Sequence, residues 1–224
     1  WVKHLSGGFK RINNGKPREF TEYVTTGEVA SRLKAANISE SYDDYYQGPH
    51  WQFASEADPT DLSAAADSID CTLVDLPFEH NGSQLDYDAA SNTYLYSEYN
   101  MKHTDPANGN KQLAFTNVIL QSAPITQYDD HGYMQYNILK SSGKGYYITG
   151  GKAIPITWSK GSDVDITKFV DKDGNEIKLN TGKTYVGLVN SAKWNDLVLN
   201  KSSRKRMIPD PQFRGRGFFD VQIL

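Results

Sequence analysis

The residues that could carry acid–base chemistry are few and scattered. Five histidines, His4, His50, His80, His103 and His131, stand singly along 224 residues. No His-x-x-x-His or Cys-x-x-Cys spacing brings two ligands onto one local face, so no metal site is expected. Of the five, His103 has the most suggestive neighbour. In His103-Thr-Asp105 an imidazole and a carboxylate share one face of an extended chain, about 7 Å apart at the backbone. A base oriented by an acid has that pattern. No Gly-x-Ser-x-Gly elbow or activated cysteine accompanies the pair. Moreover, Thr104-Asp-Pro-Ala-Asn-Gly109 reads as a turn whose backbone N–H groups Asp105 can bond itself. His103 and Asp105 are therefore the candidate catalytic residues, with Asp105 expected chiefly as a turn-former.

Other constellations fail on their own chemistry. Asp43-Asp44 and Asp129-Asp130 are adjacent and diverge in an extended chain, whereas glycosidase chemistry needs two carboxyls facing across a sugar. After Gly145-x-x-x-x-Gly150 a phosphate loop needs Lys then Ser or Thr, and Gly151 stands in the Lys place. Asp171-Lys-Asp173-Gly-Asn175 offers oxygens at alternate positions, yet Gly174 falls fourth instead of sixth and Gly182 takes the place of the bidentate Glu. The same letters make an ordinary Asp-Gly hairpin turn. No cofactor is expected. The single cysteine, Cys71, sits in the alternation Ile69-Asp-Cys-Thr-Leu-Val74 and reads as a buried strand thiol. It also excludes an intrachain disulfide framework.

Ligand recognition has a better compositional case. Tyr42 to Phe53 is dense in rings and broken at Gly48-Pro49. Tyr45, Tyr46, His50 and Trp51 are the candidate ligand-binding residues there, as a stacking platform for a sugar or peptide. The competing reading is a lid over an apolar core. A net charge of −3 argues against nucleic acid as a global partner. The run Lys201–Arg216 carries six basic residues against Asp210 alone. It could grip phosphate or an anionic wall polymer, or form a solvated tail. No run of 18 apolar residues is present to span a membrane.

The elements that must position these residues are mostly strands. Thr25-Thr-Gly-Glu28 spells a capping box, followed by Val29, Leu33 and Ala36 at helical spacing, which predicts a helix over about 26–37. From Ser68 onward strand and turn alternate roughly every ten residues. Predicted strands include Ile69–Val74, two within Leu85–Tyr99 around Ala89–Asn92, a buried one over Leu113–Gln121 and another over Tyr133–Leu139. Gly150-Gly151 should join Gly145–Thr149 to Lys152–Trp158 through a type I′ turn, and Asp173-Gly174 should turn a second hairpin. Trp158 shares a strand face with Ile154 and Ile156, so its ring belongs in the core. The fold class is α+β: mostly an antiparallel β meander, as a sandwich or half-barrel, with a short helical N-terminal segment. Residues 1–67 read as the end of an N-terminal domain with a linker, 68–200 as the β domain, and 201–224 as a basic tail.

Several stretches also carry a resemblance. They are Tyr87-Asp88 with Tyr94, His103-x-Asp105, Asn117-Val-Ile119, Gly143-Lys-Gly-Tyr146, Gly151-Lys-Ala-Ile-Pro-Ile-Thr-Trp158, Thr167-Lys-Phe169, Asp173-Gly-x-Glu-Ile-Lys-Leu-Asn180 and Gly182-Lys-Thr184. In this order they resemble the C-terminal domain of the YerB-like lipoprotein family of Gram-positive bacteria, a domain of unknown function. Phe9 to Leu33 resembles the end of that family's first domain, with Phe20 where the family usually has His. The resemblance implies an extracytoplasmic, cell-surface protein whose only membrane attachment is a lipid anchor on an upstream N-terminus. The chain opens at Trp1 without an initiator Met, signal peptide or lipid-attachment cysteine, so it reads as a fragment or processed form. The functional expectation is an envelope module that binds a cell-wall component or an envelope protein without catalysis. The alternative is an envelope hydrolase using His103 and Asp105 with groups from an upstream domain.

Overall fold

The chain reverses tightly at Gly150-Gly151, where φ values of +59° and +75° supply both left-handed residues of a type I′ turn. The strands on either side pair without interruption from Ser141↔Lys160 to Thr149↔Lys152. This hairpin lies inside one of the two large sheets. The structure, a computed structural model, describes residues 10–41 and 46–200. It divides into two compact units, 1–48 and 49–224.

In the first unit β1 (Lys10–Arg11) and β2 (Glu22–Tyr23) pair antiparallel, and α1 (Thr26–Ala35) follows. Thr25 caps α1 by accepting from the Glu28 N–H at 3.3 Å. The Glu28 carboxylate does not complete a reciprocal box. It pairs one turn on with Arg32, at 2.9 Å. Asn37, at φ +53°, turns the chain out of the helix.

In the second unit the strands are β3 (Ile69–Asp70), β4 (Leu73–Asp75), β5 (Gln84–Asp88), β6 (Thr93–Glu98), β7 (Met101–Lys102), β8 (Thr104–Asp105), β9 (Lys111–Gln112) and β10 (Ala114–Phe115). There follow β11 (Asn117–Ala123), β12 (Ile125–Gln127), β13 (Met134–Tyr136), β14 (Ser141–Thr149), β15 (Lys152–Lys160), β16 (Lys168–Val170), β17 (Thr184–Asn190) and β18 (Val198–Leu199). One sheet has the order β10-β6-β5-β4-β18, with β7 added to β6. The other has the order β16-β15-β14-β11-β17, with β3 added to β15. Both sheets are open, and among the described residues neither closes into a barrel.

The pairing of the named strands is antiparallel except in one place. β11 and β17 run parallel, in register from Asn117↔Thr184 to Ala123↔Asn190. Every residue of β11 is buried, as suits a strand flanked by neighbours and covered on both faces. Two predicted strands are also split. Ile69–Val74 breaks so that β3 joins one sheet and β4 the other, with buried Cys71 at the crossing. Leu113–Gln121 breaks at Thr116, leaving β10 in the first sheet and β11 in the second. A third expectation is corrected outright. Tyr133–Leu139 is no buried strand, because β13 pairs only with β12 in a separate ribbon. Tyr136 and Ile138 turn toward the core, while Tyr133, Met134 and Leu139 stay exposed.

The two sheets face one another across a core that joins Val74, Leu85, Tyr94, Tyr96 and Phe115 to Val118, Leu120, Ile148 and Tyr185. The opposite face of the second sheet is buried too. Ile119, Tyr147, Ile154, Ile156, Trp158 and Phe169 pack there against Leu62, Ile177 and Leu179. Residues 54–66, read from sequence as a linker, therefore belong to the second unit and cover this face of its sheet through Leu62. Thr60 is tied down by Asn180, which accepts from the Thr60 N–H at 2.8 Å and donates to the Thr60 carbonyl at 3.0 Å. Buried Asn117 completes this seam. Its Nδ2 donates to the Asn180 carbonyl at 2.8 Å, and its Oδ1 accepts from Tyr147 and from the Asn180 N–H, both at 3.0 Å.

Trp158 is fully buried, and its Nε1 donates to the Ser122 carbonyl at 2.9 Å. The indole crosses above Gly143, where an added Cβ would lie 2.7 Å from both the Ser122 oxygen and Trp158 Nε1. Gly143 is thus a space requirement of the Trp, whereas at Gly145 an added Cβ would collide with the Leu120 carbonyl oxygen and crowd Ile156. At the Asp173-Gly174 turn the Asp171 carboxylate accepts from the backbone N–H groups of Asp173 and Asn175, both at 2.9 Å. Those oxygens hold a hairpin turn, as expected.

Candidate functional site

Along β6, Tyr94, Tyr96 and Glu98 fall on one face by strand alternation. Tyr99 and Asn100 then reverse the chain, with φ of +53° and +56°. The returning register, Glu98↔Met101 and Ser97↔Lys102, sets His103 across from Tyr96. The His103 N–H donates to the Tyr96 carbonyl at 3.2 Å, and the two rings meet edge to face with centroids 5.5 Å apart.

The carboxylate partner of His103 is Glu98. Imidazole Nδ1 lies 2.8 Å from Glu98 Oε1. The other carboxylate oxygen, Oε2, accepts from the Tyr96 hydroxyl at 3.1 Å and from Asn81 Nδ2 at 3.4 Å. Behind it, the Tyr96 hydroxyl and fully buried Ser83 Oγ are 2.9 Å apart. Burial pushes the Tyr96 phenol up to about 12, Ser83 pulling against the shift and the Glu98 charge adding to it. The phenol therefore stays protonated at neutral pH and serves Glu98 as a donor. The His103 side chain remains 44% exposed. The arrangement is an imidazole held by a carboxylate at the margin of the inter-sheet core.

Asp105 is spent elsewhere. Its Oδ1 accepts from the Ala107 N–H at 3.0 Å and caps the short 3-10 turn Pro106–Asn108. Its carbonyl accepts from the Asn110 N–H at 2.9 Å. The histidine and the aspartate two places on are thus given separate tasks. Glu98 was missed because Tyr-Asn carries no glycine to announce a two-residue turn, and a tyrosine at positive φ is uncommon. The alternation Tyr94-x-Tyr96-x-Glu98, folded back at Tyr99-Asn100, was the available signal.

The aromatic candidates do not form one described platform. Trp51 stacks on Phe169, with centroids 5.1 Å apart and planes 11° from parallel, and packs against the core beneath the second sheet. That is the covering role. His50 is exposed. Tyr46 is exposed and belongs to the first unit. Tyr45 and the basic run Lys201–Arg216 lie outside the described residues. Among the described residues no cluster of three or more His, Cys, Asp or Glu is placed to hold a metal, and no helix is long and apolar enough to cross a membrane.

A second pair of aromatic residues was not singled out from sequence. At the tip of the β12–β13 ribbon, Tyr128 donates its backbone N–H to the Tyr133 carbonyl at 2.6 Å. The two side chains, 66% and 57% exposed, stand opposite one another.

Fold and site together define a mostly antiparallel β module with one carboxylate-held imidazole. Residues 74–186 match the family model described as "Protein of unknown function (DUF3048) C-terminal domain". The chain belongs to that family. The match runs from β4 into β17 and includes Glu98, His103 and Asp105. Among solved structures the chain is similar to the YerB protein from Bacillus subtilis, with a TM-score of 0.64 and 18% identity over 86% of this chain. At that identity the likeness is one of fold. The chain spans 59% of the length of that structure. No curated protein matches.

Proposed function

We propose that this chain is a β-sandwich module of the cell envelope that binds a wall component or an envelope protein and performs no catalysis itself. The observation that carries the reading is how the Glu98–His103 pair is used. A hydrolytic dyad needs a hydroxyl or an activated water presented to its imidazole. Here the neighbouring hydroxyls serve the carboxylate instead: Tyr96 donates to Glu98 Oε2 and is itself bonded to buried Ser83. Asp105, the other acid nearby in sequence, caps its own turn. This chemistry fixes β7 and the loop after it onto β6. The resemblance to a lipoprotein family is what supports the extracytoplasmic part of this reading, with a lipid anchor upstream.

The test uses purified Gram-positive cell walls. The protein should cosediment with them and release no soluble wall fragments. His103→Ala should cosediment as the parent does, while Asp105→Asn should loosen the fold. Release of wall fragments by the parent, lost in both His103→Ala and Glu98→Gln with folding intact, would overturn the reading in favour of a hydrolase.

A further inference from the structure

We infer that the face of the β12–β13 ribbon carrying Tyr128 and Tyr133 is a binding site for a neutral, β-linked amino-sugar glycan strand. The inference rests on the binding reading above and names its surface and ligand class.

Register decides which residues share that face. Ile125 pairs with Tyr136, Thr126 with Gln135 and Gln127 with Met134. The tip adds Tyr128 opposite Tyr133. By alternation Ile125 and Tyr136 point one way, and Tyr136 packs onto the core. The other face presents Thr126, Gln135, Tyr128 and Tyr133. It holds two phenols among hydroxyl and amide groups and no aliphatic side chain. A protein interface of stable size is built on a dehydrated apolar centre, which this face lacks. A pyranose ring offers what the face can use: flat C–H surfaces for the rings, with hydroxyl and acetamido groups for the polar neighbours.

The tip is also set in advance. Asp129 Oδ1 accepts from the N–H groups of His131 at 3.0 Å and Tyr133 at 3.2 Å. Gly132, at φ +86°, completes the reversal, and its N–H donates to the Asp129 carbonyl at 3.2 Å. A backbone fixed this way need not be ordered on binding.

Charge settles the ligand class. From Pro124 to Leu139 the sequence contains no Lys or Arg, while the turn carries Asp129 and Asp130. A polyanion, whether nucleic acid or a phosphate-linked wall polymer, would meet two carboxylates on a segment that carries no Lys or Arg of its own. A neutral glycan meets none of that repulsion, and Asp130 can accept its hydroxyls.

The probe is insoluble chitin, a neutral β-1,4-linked polymer of N-acetylglucosamine, in a cosedimentation assay with the full chain. The parent is expected to sediment with chitin, and added chitohexaose should release it. Tyr128→Ser/Tyr133→Ser should weaken binding about tenfold or more, whereas Tyr128→Phe/Tyr133→Phe should keep most of it, since the ring faces remain. Both variants should melt as the parent does, because neither ring lies in the core. Binding to whole walls but not to chitin would overturn the glycan assignment and leave the broader reading standing. Chitin binding unchanged in the serine variant would overturn the ribbon as the site. No binding to either material would remove both readings.

Discussion

Trp158 offers the most direct test of how the second sheet is built. It is fully buried beside Ile154 and Ile156, and its indole supplies the hydrogen bond to the Ser122 carbonyl. Trp158→Ala removes the ring and opens a cavity, which costs about 3–5 kcal/mol for a large aromatic in a core. Trp158→Phe keeps most of the apolar burial but strands the Ser122 carbonyl, a loss of about 1–3 kcal/mol. Gly143→Ala attacks the same contact from below, since its Cβ would come within 2.7 Å of Trp158 Nε1 and of the Ser122 oxygen. It should cost about 1–3 kcal/mol as an overpacking change. In the Trp158→Phe background the Nε1 half of that clash disappears while the Ser122 half stays. The penalty for Gly143→Ala should then shrink without vanishing, giving a coupling of about 0.5–2 kcal/mol. Urea unfolding followed by far-UV circular dichroism reads all four corners of the cycle, with equal m-values as the condition for comparing midpoints. A Trp158→Ala protein that unfolds at the parent's midpoint refutes the core assignment. A Gly143→Ala penalty identical in both backgrounds refutes the contact.

Two further outcomes follow from the polar interior. Asn117→Ala deletes the four hydrogen bonds of its side chain, to the Asn180 carbonyl and N–H, to Thr184 Oγ1 and to the Tyr147 hydroxyl; it takes both backbone partners from Asn180, while Tyr147 keeps the Lys178 carbonyl. It should destabilise by about 3 kcal/mol or more, with protease nicking appearing first in residues 52–62, whose anchor Asn180 it loosens. Alkaline pH should also weaken the fold. Burial pushes the Cys71 thiol from 9.0 to about 12, and the Tyr147 and Tyr96 phenols from 10.0 to about 12. These groups stay protonated in the folded chain while the unfolded chain loses their protons. Their stabilisation is full below pH 9, declines from there, and is gone above pH 12. A melting temperature that holds steady from pH 8 to 11 would contradict this, and Cys71→Ala should flatten the first part of the decline.

Much of this architecture was legible because it is local. Gly150-Gly151 needs two positive φ values, and Asp171 to Asn175 bonds its own backbone, so both hairpins follow from neighbours in sequence. Trp158 could be placed because strand alternation fixes which side chains it shares a face with. What sequence did not show is non-local. The alternation that marks β11 as buried is silent about which strand lies beside it, so the parallel partner β17 was hidden. Ile69–Val74 and Leu113–Gln121 look continuous, since a strand that leaves one sheet for the other keeps its apolar spelling. At the site, His103 was visible but its partner was not. Asp105 is nearer along the chain, and only the turn at Tyr99-Asn100 brings Glu98 across.

The parallel pairing of β11 with β17 also dictates an order of events during synthesis. β14 and β15 form a long local hairpin, and β14 can dock on β11 soon after it emerges. β17 arrives only after β16 and the turns up to Gly182 have been made, and it must close the whole stretch from Asn117 to Thr184 to find its place. Until then one margin of β11 lies open, with its uncharged sequence Asn-Val-Ile-Leu-Gln-Ser-Ala unpaired on that side. Non-local closures of this kind are slow, and a bare, uncharged strand edge is a template for a second chain. The molecule is thus most prone to self-association as a nascent chain. A version that stops short of Thr184 should collect in aggregates even though nearly all of its core is present.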